Sequence, residues 1–229
     1  MGRKHPSLYA ISDLHFTDSY IATASGFERT QFETIEEHDA YIIQALREWS
    51  GKAIAGSTLY VLGDFGNVDK LYDFFNAVHD KGKAIHTVFV YGNHDKLADY
   101  DKFAAYFDEV YRHPIFLTNR LVLSHEPIWP VPGYMINVHG HLHNAHLDSP
   151  NHLTVSCNDI KYKPVDLNKL QSTYAKIDDW NMSFLWEPYA EAYILHENNR
   201  RDTVCNPKTG KIDLSASRAL QKYYKGTPC

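Results

Sequence analysis

Cysteine is scarce in this chain. Cys157, Cys205 and Cys229 are the three among 229 residues, too few and too scattered for a disulfide framework, so the expected compartment is the reducing cytoplasm. Long apolar runs are missing as well. None nears the roughly 18 residues that a membrane-spanning helix needs. The apolar stretch behind Met1 is short and is interrupted by Asp13 and His15, so a secretory leader is not expected. Pro6 stands where an N-myristoylation signal has Ser or Thr. A surplus of positive charge is also absent. The 23 Lys and Arg face 28 Asp and Glu, a net charge of −5, so nucleic-acid binding is not indicated by bulk charge. The stretch from Glu197 onward runs the other way, with seven basic residues against three acidic ones.

What is present is apolar residues at 44%, charged residues at 22%, and 14 histidines. That composition supports a sizeable core, and the length suits one domain with elaborations. Six short runs read as buried strands: Leu8–Ile11, Leu59–Leu62, Ile85–Tyr91, Leu121–Leu123, Met135–Val138 and Leu153–Val155. Between them, Phe32, Ile35, Tyr41, Ile42, Leu46 and Trp49 recur at helical spacing behind a cap at Thr30 or Thr34. Leu71, Phe74, Phe75 and Val78 form a second helical face that stops near Gly82. Strands alternating with helices give an α/β class. The rhythm fades after Pro164, which gives a core over residues 1–163 and a C-terminal appendage over 164–229 with a basic tail.

Five of the six runs end in polar clusters of one kind. Asp13 and His15 follow the first, Asp64 the second, and Asn93, His94 and Asp95 the third. His125 follows the fourth, and His141 and His143 the fifth. Strand ends are where α/β sheets present functional groups. Asp13 and His15 are two apart, so an extended backbone would turn both the same way, and His141 with His143 repeats the spacing. Carboxylate, carboxamide and imidazole without thiolate suit Mn, Fe, Zn, Ni or Co, and these groups are more than one ion can use. A structural zinc site would favour a closed set with thiolates and is excluded.

These blocks resemble the calcineurin-like metallophosphoesterases. The matching pieces are Asp13-Leu14-His15, Gly63-Asp64-Phe65-Gly66-Asn67, Gly92-Asn93-His94-Asp95, the isolated His125, and Gly140-His141-Leu142-His143. All five stand in the family's order, over about residues 8–145. The resemblance implies a four-layer α-β-β-α sandwich with two mixed sheets. It implies two divalent metal ions, manganese foremost, with Asp13, His15 and His143 on the first, Asn93, His125 and His141 on the second, and Asp64 shared. It further implies in-line attack on phosphorus by a hydroxide bridging the metals, with His94 assisting the leaving group and Asn93 and His94 meeting the substrate. The expected substrate is a small phosphoric ester, a nucleotide-like phosphodiester before a phosphomonoester; a non-catalytic scaffold of the same fold is the reading from another class. The family's second Asp in Gly-Asp-x-x-Asp is Asn67 here, which leaves Asp95 as a candidate partner for His94. Arg29 is a candidate phosphate contact, and the loop holding Trp129 is a candidate pocket rim.

Overall fold

The computed structural model describes residues 5–19, 32–143, 145, 147, 149–169, 205–206 and 211–212. Its chain divides into two units, the first formed by 1–111 with 115–177 and the second by 112–114 with 178–229. In the second unit, β10 (Cys205–Asn206) pairs antiparallel with β11 (Lys211–Ile212). Arg29, and the basic tail apart from residues 205–206 and 211–212, lie outside the described residues.

The first unit holds both larger sheets. One contains β1 (Leu8–Ile11), β2 (Thr58–Leu62), β3 (His86–Val90), β4 (Glu109–Tyr111) and β9 (Val165–Asp166), in the order β4-β3-β2-β1-β9. Its first four strands are parallel and β9 is antiparallel to β1. The other contains β5 (Ile115–Thr118), β6 (Leu121–Leu123), β7 (Ile136–His139) and β8 (His152–Thr154), in that order. There β5 and β6 are antiparallel and the remaining pairs are parallel. Both sheets are mixed, as expected.

Strand alternation divides the core in two. Ile11, Val61 and Phe89 occupy one register row and face the helices α1 (Ile35–Lys52), α2 (Leu71–Val78) and α3 (Tyr100–Tyr106). Ala10, Tyr60 and Val88 form the neighbouring row and face Leu121, Leu123, Ile136 and Val138 of the second sheet. Strands buried on both faces explain why their sequences read as unbroken apolar runs. Among the described residues this accounts for a helical layer and two sheet layers; the outer face of the second sheet carries no helix among them.

Helix α1 begins at Thr34, whose hydroxyl accepts from the Glu37 N–H while the Glu37 carboxylate accepts from the Thr34 N–H. This reciprocal cap satisfies two orphan donors of the first turn. Ile42, Leu46 and Trp49 are buried, whereas Tyr41 is exposed. Two features lie off the sequence reading. Val165–Asp166 falls past the expected core boundary at 163 and yet completes the edge of the first sheet. Strands β4 and β5 and helix α3 are additions to the expected elements.

Candidate metal centre

The parallel strands bring their carboxyl ends to one edge, and every polar cluster follows such an end. A bridge between Ser12 and Ser156 joins the two sheets there: the Ser12 N–H donates to Val155 O at 3.0 Å and the Cys157 N–H to Ser12 O at 3.0 Å. The Asp13 carboxylate then accepts from the His141 N–H, 3.1 Å from each oxygen, and from the Ser156 hydroxyl.

Convergence is achieved by kinks rather than by strand alternation. Asp13, His15, Asp64, His141 and His143 have φ of 58°, 47°, 52°, 70° and 50°. The left-handed region is uncommon for such residues and is tolerated where surrounding contacts over-determine it, often at functional sites. The Asp-x-His and His-x-His spacings therefore bring their members together as tight turns.

Two groups of donors result, meeting at Asp64. Asp13, His15, Asp64 and His143 are all buried and offer ligand atoms within 4.8 Å of one another. His15 Nε2 lies 3.3 Å from His143 Nε2 and 3.5 Å from Asp64 Oδ2. His125 Nε2 is 3.4 Å from the same oxygen. Asn93 Oδ1 lies 2.8 Å from His125 Nε2 and 2.9 Å from His141 Nδ1. His125 Nδ1 donates to Leu62 O at 2.8 Å, which turns Nε2 inward. Ring nitrogens directed at one another and at carboxylate and carboxamide oxygens, with no thiol among them, fit hard-to-borderline divalent cations.

The protonation of these groups is set by their contacts with one another. Burial disfavours the Asp64 charge, but the hydrogen bond and charge of His125, the charge of His15 and the His94 N–H outweigh it. Its carboxyl stays well below the usual range. Burial works against protonation of His125 as well, and the neighbouring Asp64 nonetheless pulls it up to about 9. Burial and the charge of His125 depress His141. Burial and the Asp64 charge push Asp95 up to about 7, against three backbone N–H bonds.

The turn at 92–95 fits closely over Asp64. A side chain on Gly92 would meet Asp64 Oδ1 at 2.2 Å. His94 is exposed, its N–H donates to Asp64 Oδ1 at 3.0 Å, and its ring packs edge-on to His15 with centroids 5.2 Å apart. Asp95, by contrast, points into the backbone: its oxygens accept from the N–H groups of Asp64 at 2.8 Å, Phe65 at 3.0 Å and Gly92 at 2.7 Å. It holds the two turns together. Asn67 Oδ1 accepts from the Asp69 N–H at 3.0 Å and caps the short turn Val68–Lys70. A cavity of about 370 Å³ opens beside His94, with His15, Asp18, Asn67, Lys96 and Phe103 among its walls.

The chain matches the calcineurin-like phosphoesterase family profile over residues 6–213. It belongs to that family. A solved protein of unknown function from Aquifex aeolicus is similar at a TM-score of 0.56 and 22% identity, over 74% of this chain and 100% of that one. A nuclease from Pseudomonas putida is similar at 0.38 and 19%, over 59% of this chain and 61% of the other. No curated protein matches. The calcineurin-like phosphoesterase is thus a hydrolase of the metal-dependent phosphoesterase class, and its buried Asp/His cluster suits divalent ions. No helix among the described residues is long and apolar enough to cross a membrane.

Other polar residues lie apart from the centre. His139 is buried, donates from Nδ1 to Gly140 O at 2.8 Å and packs against His152. Burial lowers its pKa to about 4. Trp129 is 66% exposed and stacks on His152 with centroids 5.2 Å apart. Sequence reasoning missed Asp18, whose carboxylate meets His15 Nδ1 at 3.2 Å. A single acid in a loop carries no periodic signal.

Proposed function

We propose that this chain is a dinuclear-metal phosphodiesterase acting on a small, nucleotide-like phosphoric ester. Asp13, His15, Asp64 and His143 would hold one divalent ion, and Asp64, Asn93, His125 and His141 the other. Manganese is the first choice for this oxygen and nitrogen set. When bound, such a pair supplies Lewis acidity for the phosphoryl oxygens and activates water at neutral pH. The observation that carries the reading is the position of Asp64 Oδ2, 3.5 Å from His15 Nε2 and 3.4 Å from His125 Nε2. One carboxylate oxygen faces both donor groups.

The protein's own part is positioning and proton transfer. Asp64 keeps its negative charge through the hydrogen bonds it accepts, so it remains a ligand at neutral pH. Ser156 and the His141 backbone hold Asp13 in place. The N–H of His94 is bonded to Asp64 and its exposed ring packs edge-on to His15, from where it would protonate or stabilise a leaving oxygen. Asn93 and His94 meet the substrate, and Asp95 acts through the backbone that carries them. The cavity of about 370 Å³ beside His94 takes one organic substituent. The exposed surface at Asn93 and His94 leaves room for the second substituent of a diester. With three scattered cysteines, the reading places the chain in the cytoplasm.

The test is turnover of purified protein with added Mn²⁺ on bis(p-nitrophenyl) phosphate, p-nitrophenyl phosphate, cyclic nucleotides and oligonucleotides. A higher kcat/KM for the diester than for the monoester is expected. The reverse order overturns the diester assignment in favour of a phosphatase. No turnover of any ester by metal-loaded protein overturns the enzyme and leaves a scaffold.

A further inference from the structure

An exposed imidazole used for proton transfer needs its ring held, and the obvious holders of His94 are engaged elsewhere. Asn67 Oδ1 caps the 68–70 turn, and both oxygens of Asp95 accept backbone N–H groups. Asp18 lies close to the ring. Its carboxylate and ring nitrogens of His15 and His94 all come within 4.8 Å of one another. Asp18 Oδ2 is 3.2 Å from His15 Nδ1, while the opposite nitrogen, Nε2, faces Asp64 and His143. Asp18, His15 and His94 share the wall of the same cavity.

This carboxylate is held by a built support. The Asp18 N–H donates to His15 O at 3.1 Å, closing the turn between them. Beside it, the Thr17 N–H and hydroxyl donate to the two oxygens of Asp39 at 3.1 and 3.2 Å. Asp39 is 4% exposed and is held in turn by His38 Nδ1 at 3.1 Å and Lys70 Nζ at 3.4 Å. Helix α1 thus clamps the residue before Asp18, and the left-handed φ of 61° at Thr17 turns the chain toward the centre. A second carboxylate bonded to a ligand histidine fixes its tautomer and its orientation.

We propose that Asp18 is a positioning residue for two imidazoles. It keeps His15 protonated at Nδ1 with Nε2 turned to the metal pocket, and it orients the His94 ring across the cavity toward the leaving oxygen. The His94 half rests on the function proposed above; the His15 half does not.

Three variants separate the two halves. Asp18→Ala removes the hydrogen bond to His15 and the carboxylate near His94. Asp18→Asn keeps an oxygen that accepts from His15 Nδ1 but removes the charge facing His94. Asp18→Glu keeps the charge on a longer arm and carries the test with Asp18→Asn where the alanine variant does not fold. Nitrogen-15 NMR of the metal-free protein reads the His15 tautomer: Nδ1–H is expected in the unmodified protein and in Asp18→Asn, and a loss of that preference in Asp18→Ala. Mn²⁺ titration should show affinity about 10–100-fold weaker in Asp18→Ala and within a few-fold of normal in Asp18→Asn. An unchanged tautomer and unchanged Mn²⁺ affinity in Asp18→Ala overturn the His15 half. Both Asp18→Ala and Asp18→Asn should lose kcat more on an alkyl ester than on a nitrophenyl ester, with KM nearly constant. Equal losses on the two esters overturn the His94 half. Should the unmodified protein hydrolyse no ester, the proposed function and the His94 half fall together, and the tautomer and titration still decide the His15 half.

Discussion

Gly92 offers a perturbation whose size can be worked out. It stands where the turn carrying Asn93 and His94 passes directly over Asp64. A Cβ there would lie 2.2 Å from Asp64 Oδ1 and 2.5 Å from Asp64 N. Ordinary contact needs about 3.4 Å, so the turn and Asp64 must separate by roughly 1 Å. The backbone atom cannot rotate away as a flexible side chain would, and Asp64 is tied on three sides by His15, His125 and the His94 N–H. Gly92→Ala should cost about 1–3 kcal/mol as an overpacked site. At about 2–4 °C per kcal/mol for a chain of this size, Tm falls by several degrees. A 1 Å displacement of reacting groups costs on the order of 10²-fold in rate. The matched control is Gly51→Ala near the end of α1, where nothing lies within 4 Å; it should keep Tm and turnover. Differential scanning calorimetry, Mn²⁺ titration and diester turnover on the pair provide the comparison. Normal Mn²⁺ affinity with normal turnover in Gly92→Ala would refute the tight fit of turn on carboxylate.

Asp64→Asn should leave clearly less than two metals per chain by elemental analysis, with turnover abolished, because a neutral amide cannot serve two cations. His94→Ala should keep both metals and lose about 10²–10⁴-fold in kcat, less for nitrophenolate than for alkoxide leaving groups; a lost metal would make His94 a ligand. Asp39→Asn should destabilise the fold by about 1–3 kcal/mol at pH 7 in urea titrations, since buried charge-assisted hydrogen bonds are removed. Burial opposes the Asp39 charge, but His38, the Thr17 N–H and Lys70 together lower its pKa from the ordinary 3.8. A depressed carboxylate stabilises the fold above its ordinary pKa and loses that contribution as pH falls through the folded value, so the gap between the two proteins should begin to narrow as pH falls below about 4. A gap that stays constant from pH 7 to pH 3 would show that the Asp39 charge adds nothing.

The centre was legible because each of its residues follows an apolar run that announces a strand. Leu59–Leu62 before Gly63-Asp64 and Ile85–Tyr91 before Gly92-Asn93-His94-Asp95 are read correctly because strands buried on both faces are apolar throughout. What escaped was short or partly exposed. β9 has two residues and β4 three, below any period-two signal, and their side chains are half-buried. The direction of side chains also escaped. Extended geometry would align Asp13 with His15, but positive φ at both positions brings them together as a turn. Asp95 illustrates a further loss: the motif marks it as polar and adjacent to His94, and only the fold shows its oxygens spent on the N–H groups of Asp64, Phe65 and Gly92. Asp18 carried no pattern because only the fold brings His15 and His94 near a single acid in a loop.

The most direct measurement is anomalous diffraction from crystals grown with Mn²⁺, collected at the manganese edge. Two peaks of comparable height are expected on opposite sides of Asp64 Oδ2, one against Asp13, His15 and His143 and the other against Asn93, His125 and His141. A single peak, or two peaks that do not share Asp64, would contradict the dinuclear centre.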